Sequence, residues 1–192
     1  MKKIFALLMI FLTVQIATGC TAGSSDDGGE TRIIMLKVHE NYAWGRHQDI
    51  TVIDSGGRCY SSGSHSNDGE KDENWVEFPR NKEEDSVDNG WYERILDIVE
   101  AEEPDGKISA EKLSLIRENA RSFAEWSDLP EKEYGDYMAD YGKVILYGVY
   151  FDGDGEPRLA ELAAAGDSPY CKGGARVRKF VNRLKLLDYK FA

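Results

Sequence analysis

Residues 48–62 read QDITVIDSGGRCYSS, and this stretch decides the fold. Side chains alternate along its first half, so that Ile50 and Val52 share one face, which is the period of a β-strand. The SGG at 55–57 suits a tight turn, because glycine adopts positive φ without a steric penalty. Residues 58–62 then return as a second strand. The stretch therefore predicts an antiparallel hairpin.

Further strands flank this hairpin. Residues 32–39 are mostly apolar and predict a strand that precedes it. The run KVILYGVYF at 143–151 predicts the strongest strand of the chain, and a hairpin turn follows at 152–155. For residues 158–165 the alanine and leucine content favours a helix, whereas the preceding turn favours a returning strand. We predict the strand.

The segments between these elements are mostly polar. Residues 40–47 predict a connector with two aromatic side chains. Residues 61–74 contain no large apolar side chain and predict a mobile surface loop. A short strand is expected at 75–78, closed by Pro79, and a second polar run follows at 80–89.

Apolar side chains recur at helical spacing in three places. The first series ends before Pro104, and the second opens at Ser109, which can cap the first turn of a helix. Because a short link joins these two helices, we expect them to pack against each other. The order of elements predicts an α+β domain, an antiparallel sheet built from hairpins with about three helices packed against one face. The apolar positions are Trp91, Ile95, Ile98 and Val99; Leu113, Ile116, Ala120, Phe123 and Ala124; and Val177, Phe180, Val181, Leu184 and Leu187.

The N-terminal residues have the organisation of an export signal. Met1-Lys2-Lys3 is basic, and residues 4–14 are almost wholly apolar, too few to span a bilayer but typical of a signal peptide. The following Ala17-Thr18-Gly19-Cys20 resembles the lipobox of bacterial lipoproteins. That resemblance implies cleavage before Cys20 and a diacylglycerol on its sulfur. Ala17 departs from the usual leucine, and the same residues suit the general signal peptidase, which leaves plain secretion as the alternative.

The resemblance divides the chain into three parts. Residues 1–19 are expected to be a signal peptide, 20–31 a lipidated flexible tether, and 32–192 a single α+β domain. The protein would then be lipid-anchored at the cell membrane, on the extracytoplasmic face. The phrase ITVID at 50–54, with Gly57 and Tyr60, is similar to uncharacterised lipoproteins of Gram-positive bacteria, and this similarity implies no function.

The charge balance narrows the choice of partners. The chain carries 35 acidic and 24 basic residues, a formal net charge of −11. Contacts with phosphate are made largely by lysine and arginine, so nucleic acid is not an expected partner. The acidic balance also argues against adhesion to anionic lipid through a basic patch. The predicted partners are the membrane, through the lipid, and an unknown extracytoplasmic ligand or protein.

The cysteines suggest a disulfide. Lipidation of Cys20 leaves one pair, Cys59 and Cys171, and an exported domain lies where disulfides persist. We predict a bridge between them. Two unpaired thiols are one alternative, and a Cys59 nucleophile assisted by His65 is another.

Metal and cofactor signals are weak. His39 and His47 flank the connector between two predicted strands and could hold a metal with Glu40 or Asp49. No HExxH motif or tight ligand spacing supports this, so no metal site is predicted. No cofactor is predicted either, because the chain contains neither a GxxxxGK[ST] nor a GxGxxG motif.

Two segments resemble parts of a calcium loop. Residues 101–112 would place Lys112 where a bidentate glutamate is required, so they are interpreted as a link between helices. Residues 152–156 (DGDGE) have alternate acids, but Pro157 stands where glycine is required. A hairpin turn explains these residues better, and weak calcium binding stays an alternative.

The sequence thus predicts a tethered binding or interaction module without enzymatic activity. The alternative is an extracytoplasmic hydrolase that uses Cys59 with His65, or a metal on His39 and His47. A third class is a purely structural envelope protein. Tyr134, Tyr137 and Tyr141 are expected to half-bury at the domain's edge and could line a binding groove.

Overall fold

Nine β-strands and four α-helices account for most of the residues that the computed structural model describes. Those residues are 32–41, 46–67, 70–72, 74–79, 90–134, 142–167 and 169–191, and they belong to one structural unit, Thr31–Ala192. The strands are β1 (Ile33–Asn41), β2 (Arg46–Asp54), β3 (Arg58–Asn67), β4 (Glu70–Lys71), β5 (Gly106–Lys107), β6 (Glu131–Glu133), β7 (Lys143–Phe151), β8 (Pro157–Gly166) and β9 (Tyr170–Lys172). The helices are α1 (Gly90–Ala101), α2 (Ala110–Asn119), α3 (Phe123–Ser127) and α4 (Ala175–Leu184), with a 3₁₀ turn at Ala120–Ser122 between α2 and α3.

The strands form one antiparallel sheet in the order β4-β3-β2-β1-β7-β8-β9-β6, with β5 paired to β3. Neighbours along the chain pair as hairpins in β1–β2, β2–β3 and β7–β8. This confirms the predicted α+β class and its hairpin-built sheet. The returning strand predicted at 158–165 is confirmed as β8.

Both faces of the sheet are covered by helices. One face buries Met35 and Leu146 beneath α2, α3 and α4. The opposite face buries Leu36 and Ile145 beneath α1. The prediction that all helices lie on one face, with α1 against α2, is therefore wrong. Residues 102–109 pass around the outer edge of the sheet, where β5 pairs with β3, and carry the chain to the other face.

The turn between β2 and β3 is fixed by a buried carboxylate. Asp54 is fully buried and accepts hydrogen bonds from the Arg58 backbone N–H at 2.9 Å and from Arg58 Nε at 2.6 Å. Tyr60 donates to the same carboxylate from 3.4 Å. Gly57 has φ of +80°, which explains why glycine ends this turn.

The polar residues after this turn continue the sheet. β3 extends to Asn67 and is followed by β4, where the sequence predicted a mobile loop over 61–74. The loop prediction is wrong because backbone pairing with β2 orders this segment without apolar side chains; Ser64 and Ser66 face inward and are buried. The predicted connector at 40–47 is also shorter, since β1 reaches Asn41 and β2 begins at Arg46.

The segment around Val76 is held by a side chain instead of a strand. Val76 is 1% exposed, and its N–H donates to Gln48 Oε1 at 3.0 Å while its carbonyl accepts from Gln48 Nε2 at 3.0 Å. The strand predicted at 75–78 is therefore wrong: the amide of Gln48 takes the place of a strand partner. The polar run predicted at 80–89 lies outside the described residues.

Asp152, the first acid of the segment that resembled a calcium loop, is hydrogen-bonded within the turn at 152–155. Asp152 Oδ1 accepts the backbone N–H groups of Asp154 and Glu156, each at 3.0 Å, and Arg158 donates from Nε to Oδ2 at 2.9 Å. These bonds, led by the one from Glu156, hold the pKa of Asp152 below its usual value of 3.8. The carboxylate is thus already committed to the hairpin.

Replacing Asp152 with alanine is expected to lower the melting temperature by a few degrees at pH 7. Because the folded-state pKa is depressed, this stabilisation is present above pH 3.8 and is lost as the pH falls through the folded-state value. Thermal unfolding of wild type and variant at pH 7 and below pH 3 checks this. Asp154→Ala, in the same turn, is the matched control. A deficit that stays constant with pH would contradict the explanation.

The remaining helical predictions are confirmed in part. The second helical series is divided among α2, the 3₁₀ turn and α3, where Ala124 is exposed, and the C-terminal helix ends at Leu184, before the predicted Leu187. Ser109 caps α2, accepting the N–H of Lys112 on its hydroxyl at 3.3 Å. This confirms the interpretation of residues 101–112 as a link between helices. α4 buries the predicted Val177, Phe180, Val181 and Leu184.

Candidate binding face at an open corner of the sheet

One corner of the sheet carries polar side chains and all three histidines of the sequence. It is formed on β1, β2 and β3 beyond the positions covered by α2–α4, on the same face as Met35 and Ile53. Asp49 and His65 are exposed there, and His39 and His47 are half-buried. We call these four residues the open corner.

His39 and Asp49 form the first pair in the open corner. They face each other across β1 and β2, and His39 Nδ1 lies 3.3 Å from Asp49 Oδ2. The side chains are 34% and 68% exposed, respectively. A carboxylate that accepts from Nδ1–H fixes the ring's tautomer and leaves Nε2 with a lone pair. The pair can therefore present a neutral imidazole as a base or as a ligand.

His47 and His65 form the second pair. They face each other across β2 and β3, with Nδ1 atoms 2.7 Å apart and ring centroids 4.4 Å apart in an edge-to-face arrangement. The backbone N–H of His65 donates to Asp72 Oδ2 at 2.6 Å, which fixes the strand at this position. Strand pairing thus brings together two imidazoles that are 18 residues apart in the sequence.

The catalytic pairs considered from sequence do not form. Cys59 and His65 lie on the same strand six residues apart, about 20 Å at the rise of a β-strand. His39 and His47 are diagonal neighbours, but each makes its side-chain contact with another residue. Across the described ranges, no three His, Cys, Asp or Glu side chains are placed to enclose a metal ion.

The disulfide predicted between Cys59 and Cys171 is not present, and both thiols are free. Cys59 lies on β3 and Cys171 on β9, with four strands between them. Five steps of strand spacing amount to about 24 Å along the sheet, whereas a disulfide needs Cα atoms within about 7 Å. The prediction depended on the number of cysteines, which does not show how far apart two of them lie in the sheet.

Burial raises the pKa of both thiols, that of Cys171 to about 11. Thiolate is the reactive form, so both cysteines are expected to react slowly in the folded protein. Half-buried Cys59 should be alkylated before the buried Cys171, which should remain protected at pH 9 until the chain unfolds. Peptide mapping after timed alkylation checks the order. Faster labelling of Cys171 than of Cys59 would contradict it.

A second group of charges lies on the opposite face, at the β6 edge of the sheet. Glu161 is half-buried, and its carboxylate lies 3.7 Å from Lys143 Nζ. Lys172 and Glu131 form a neighbouring ion pair at 3.0 Å. Burial raises the pKa of Glu161, with Lys143 opposing the shift. Two positive and two negative charges compensate one another here, which is the arrangement of a structural network.

Tyr134 takes part in packing at the domain's edge. Its ring lies 5.4 Å from that of Phe191, and its backbone N–H donates to the carbonyl of Pro169 at 2.8 Å. Tyr137 and Tyr141, which were expected to line a groove with it, lie outside the described residues, as does the lipobox with Cys20.

Comparisons with protein-family models, with curated proteins and with solved structures found no match for this chain. Among the described helices, none combines the length and the apolar character that crossing a membrane requires. The functional argument therefore depends on the residues of the chain itself.

Proposed function

We propose that this chain is a lipid-anchored extracytoplasmic protein that binds a ligand without transforming it, with the open corner as its binding face. The N-terminal basic and apolar segments and the lipobox ending in Cys20 support export and lipid attachment. The acidic balance of the chain supports a partner other than nucleic acid.

The observation that carries the binding proposal is the gathering of all three histidines on one open corner. The buried residues of β1, β2 and β7 lie beneath helices on the two faces of the sheet, in contrast to this corner. The exposed and half-buried imidazoles of this corner can donate and accept hydrogen bonds and bind metals, so the corner has the chemistry to recognise a polar ligand.

A second function has one specific observation in its favour. The His39–Asp49 pair has the arrangement in which a carboxylate orients a catalytic base. A hydrolase of this kind would use the His39 ring to activate water or a hydroxyl nucleophile. Within the described residues, the ring of His39 bonds to Asp49 and that of His47 bonds to His65. Neither ring makes a hydrogen bond to a Ser, Thr or Cys side chain there. Binding is therefore the function that this geometry supports best.

Lipid attachment is tested by growing bacteria that express the full chain with an alkyne-bearing fatty acid. Covalent label is expected on the wild-type protein and is expected to be absent from Cys20→Ser. Cys59→Ser and Cys171→Ser are the matched controls and should be labelled like wild type. An unlabelled wild-type protein, or a Cys20→Ser variant that keeps its label, would overturn the anchor proposal.

A further inference from the structure

The rings of His47 and His65 meet in a way that suits a cation. Their Nδ1 atoms are 2.7 Å apart, and an N–H···N hydrogen bond needs one donor and one lone pair. In the neutral pair a single proton therefore lies between the two facing nitrogens. When the donor ring instead carries its proton on Nε2, both Nδ1 atoms have lone pairs, which is the state in which two neutral imidazoles ligate one metal ion.

We infer that His47 and His65 together bind a divalent transition metal ion such as Zn²⁺. Neutral imidazole is a favoured ligand of Zn²⁺, Cu²⁺ and Ni²⁺. Two Zn–N bonds of about 2.05 Å at a tetrahedral angle place their nitrogens about 3.3 Å apart. The observed 2.7 Å must widen by about 0.6 Å, which small side-chain rotations provide. For both Nδ1 atoms to bind the metal, the donor ring changes tautomer: its Nδ1 proton leaves and Nε2 of the same ring takes one up from solvent, so that both rings stay neutral.

The backbone holds this pair in register. His47 lies on β2 and His65 on β3 within an unbroken ladder that runs from Arg46↔Ser66 to Ile53↔Cys59. The ladder keeps the two ring-bearing Cβ atoms as direct cross-strand neighbours with or without metal. Binding therefore requires no change of the fold.

Two carboxylates lie near the pair, one on β2 and one just after β4. Asp49 follows His47 by two residues on the same face and is 68% exposed. Asp72 lies against the backbone of His65. Nearby carboxylates favour a cation over an anion at this position. These charges set the sign of the ligand that the pair recognises.

The site is open to solvent. Since the described residues supply no group of three converging ligands, the ion keeps coordination positions for water or for a donor atom from outside. This inference rests on the proposed binding role of the open corner and specifies it. The external ligand would be one that offers a nitrogen, oxygen or sulfur donor to the bound metal. Metal binding itself does not depend on the lipid.

The test titrates the purified full-length chain with Zn²⁺ by isothermal calorimetry in a buffer that does not coordinate metal. Wild type is expected to bind one Zn²⁺ per chain. His47→Asn and His65→Asn should each abolish saturable binding, because each removes one of the two imidazole ligands. Cys59→Ser, on the same strand as His65, is the matched control and should bind as wild type does.

Thermal unfolding separates metal loss from misfolding. The three variants should melt near wild type without metal, and Zn²⁺ should raise the melting temperature of wild type and Cys59→Ser alone. Absence of saturable binding in wild type, or an equal loss in Cys59→Ser, would overturn the inference. Labelling by the fatty acid is independent of these results, so a failed metal site and a failed anchor are distinguishable.

Discussion

Replacement of Gly148 by alanine is expected to lower the free energy of unfolding by about 3 kcal/mol. A Cβ at this position of β7 would lie 2.5 Å from Cδ2 of Phe123 and 2.7 Å from Cγ. The ring cannot move aside, because Phe123 is fully buried and its centroid lies 5.9 Å from that of Trp126 and 5.7 Å from that of Phe180. Overpacking of this kind forces strained rotamers or a shift of α3 from the sheet.

Urea unfolding of wild type and Gly148→Ala measures this effect. Gly153→Ala is the control, because a Cβ at Gly153 meets no atom within 4 Å; its stability should change by less than about 0.5 kcal/mol. If both variants were as stable as wild type, α3 would not pack on β7 as described.

Replacement of Gln48 by leucine is expected to cost about 2–4 kcal/mol. Leucine has a similar size but cannot bond the N–H and carbonyl of Val76, which Gln48 satisfies at 3.0 Å each. Both residues are 1% exposed, so water cannot readily replace these bonds. A buried donor or acceptor that loses its partner keeps its full desolvation cost.

The same urea measurement, with Asp49→Ala as control, checks this prediction. Asp49 is the next residue of β2 and its side chain is 68% exposed, so its replacement should change stability by less than about 0.5 kcal/mol. Equal losses in the two variants would show that the Gln48–Val76 contact contributes little.

Local patterns in the sequence predicted the strands and helices that have clear periods. The alternation before the turn at 55–57 predicted β2, and the apolar run at 143–151 predicted β7 with the turn and strand after it. Local sequence is sufficient to predict these elements, because their turn residues and alternating side chains are adjacent in the chain.

The placement of the helices was not predictable in the same way. The helical period of Trp91 and Ile95 shows which side of α1 is buried, but not which face of the sheet buries it. The choice depends on the path of residues 102–109 around the β3 edge, which is a tertiary contact. The Val76 segment was missed for the same reason, since its partner is a side chain 28 residues earlier.

The His47–His65 pair was missed although the sequence contained a signal for it. Once the turn at 55–57 places Ile53 opposite Cys59, six steps back along β2 and six forward along β3 place His47 opposite His65. Low β-propensity serines and a glycine at 61–64 concealed this register, because they gave the segment the composition of a loop. Extending the hairpin by register alone would have found the pair.

The most direct test of the proposed function determines on which side of the membrane the folded domain lies. A Gly153→Cys variant places a thiol on the exposed β7–β8 turn, where a side chain meets no neighbouring atom. Intact spheroplasts that express this variant are treated with a maleimide that cannot cross the membrane, and Gly153→Ala shows the background from the native cysteines. We predict that Gly153→Cys is labelled as completely before lysis as after it. Labelling that appears only after lysis would place the domain in the cytoplasm and contradict the proposal of an extracytoplasmic binding protein.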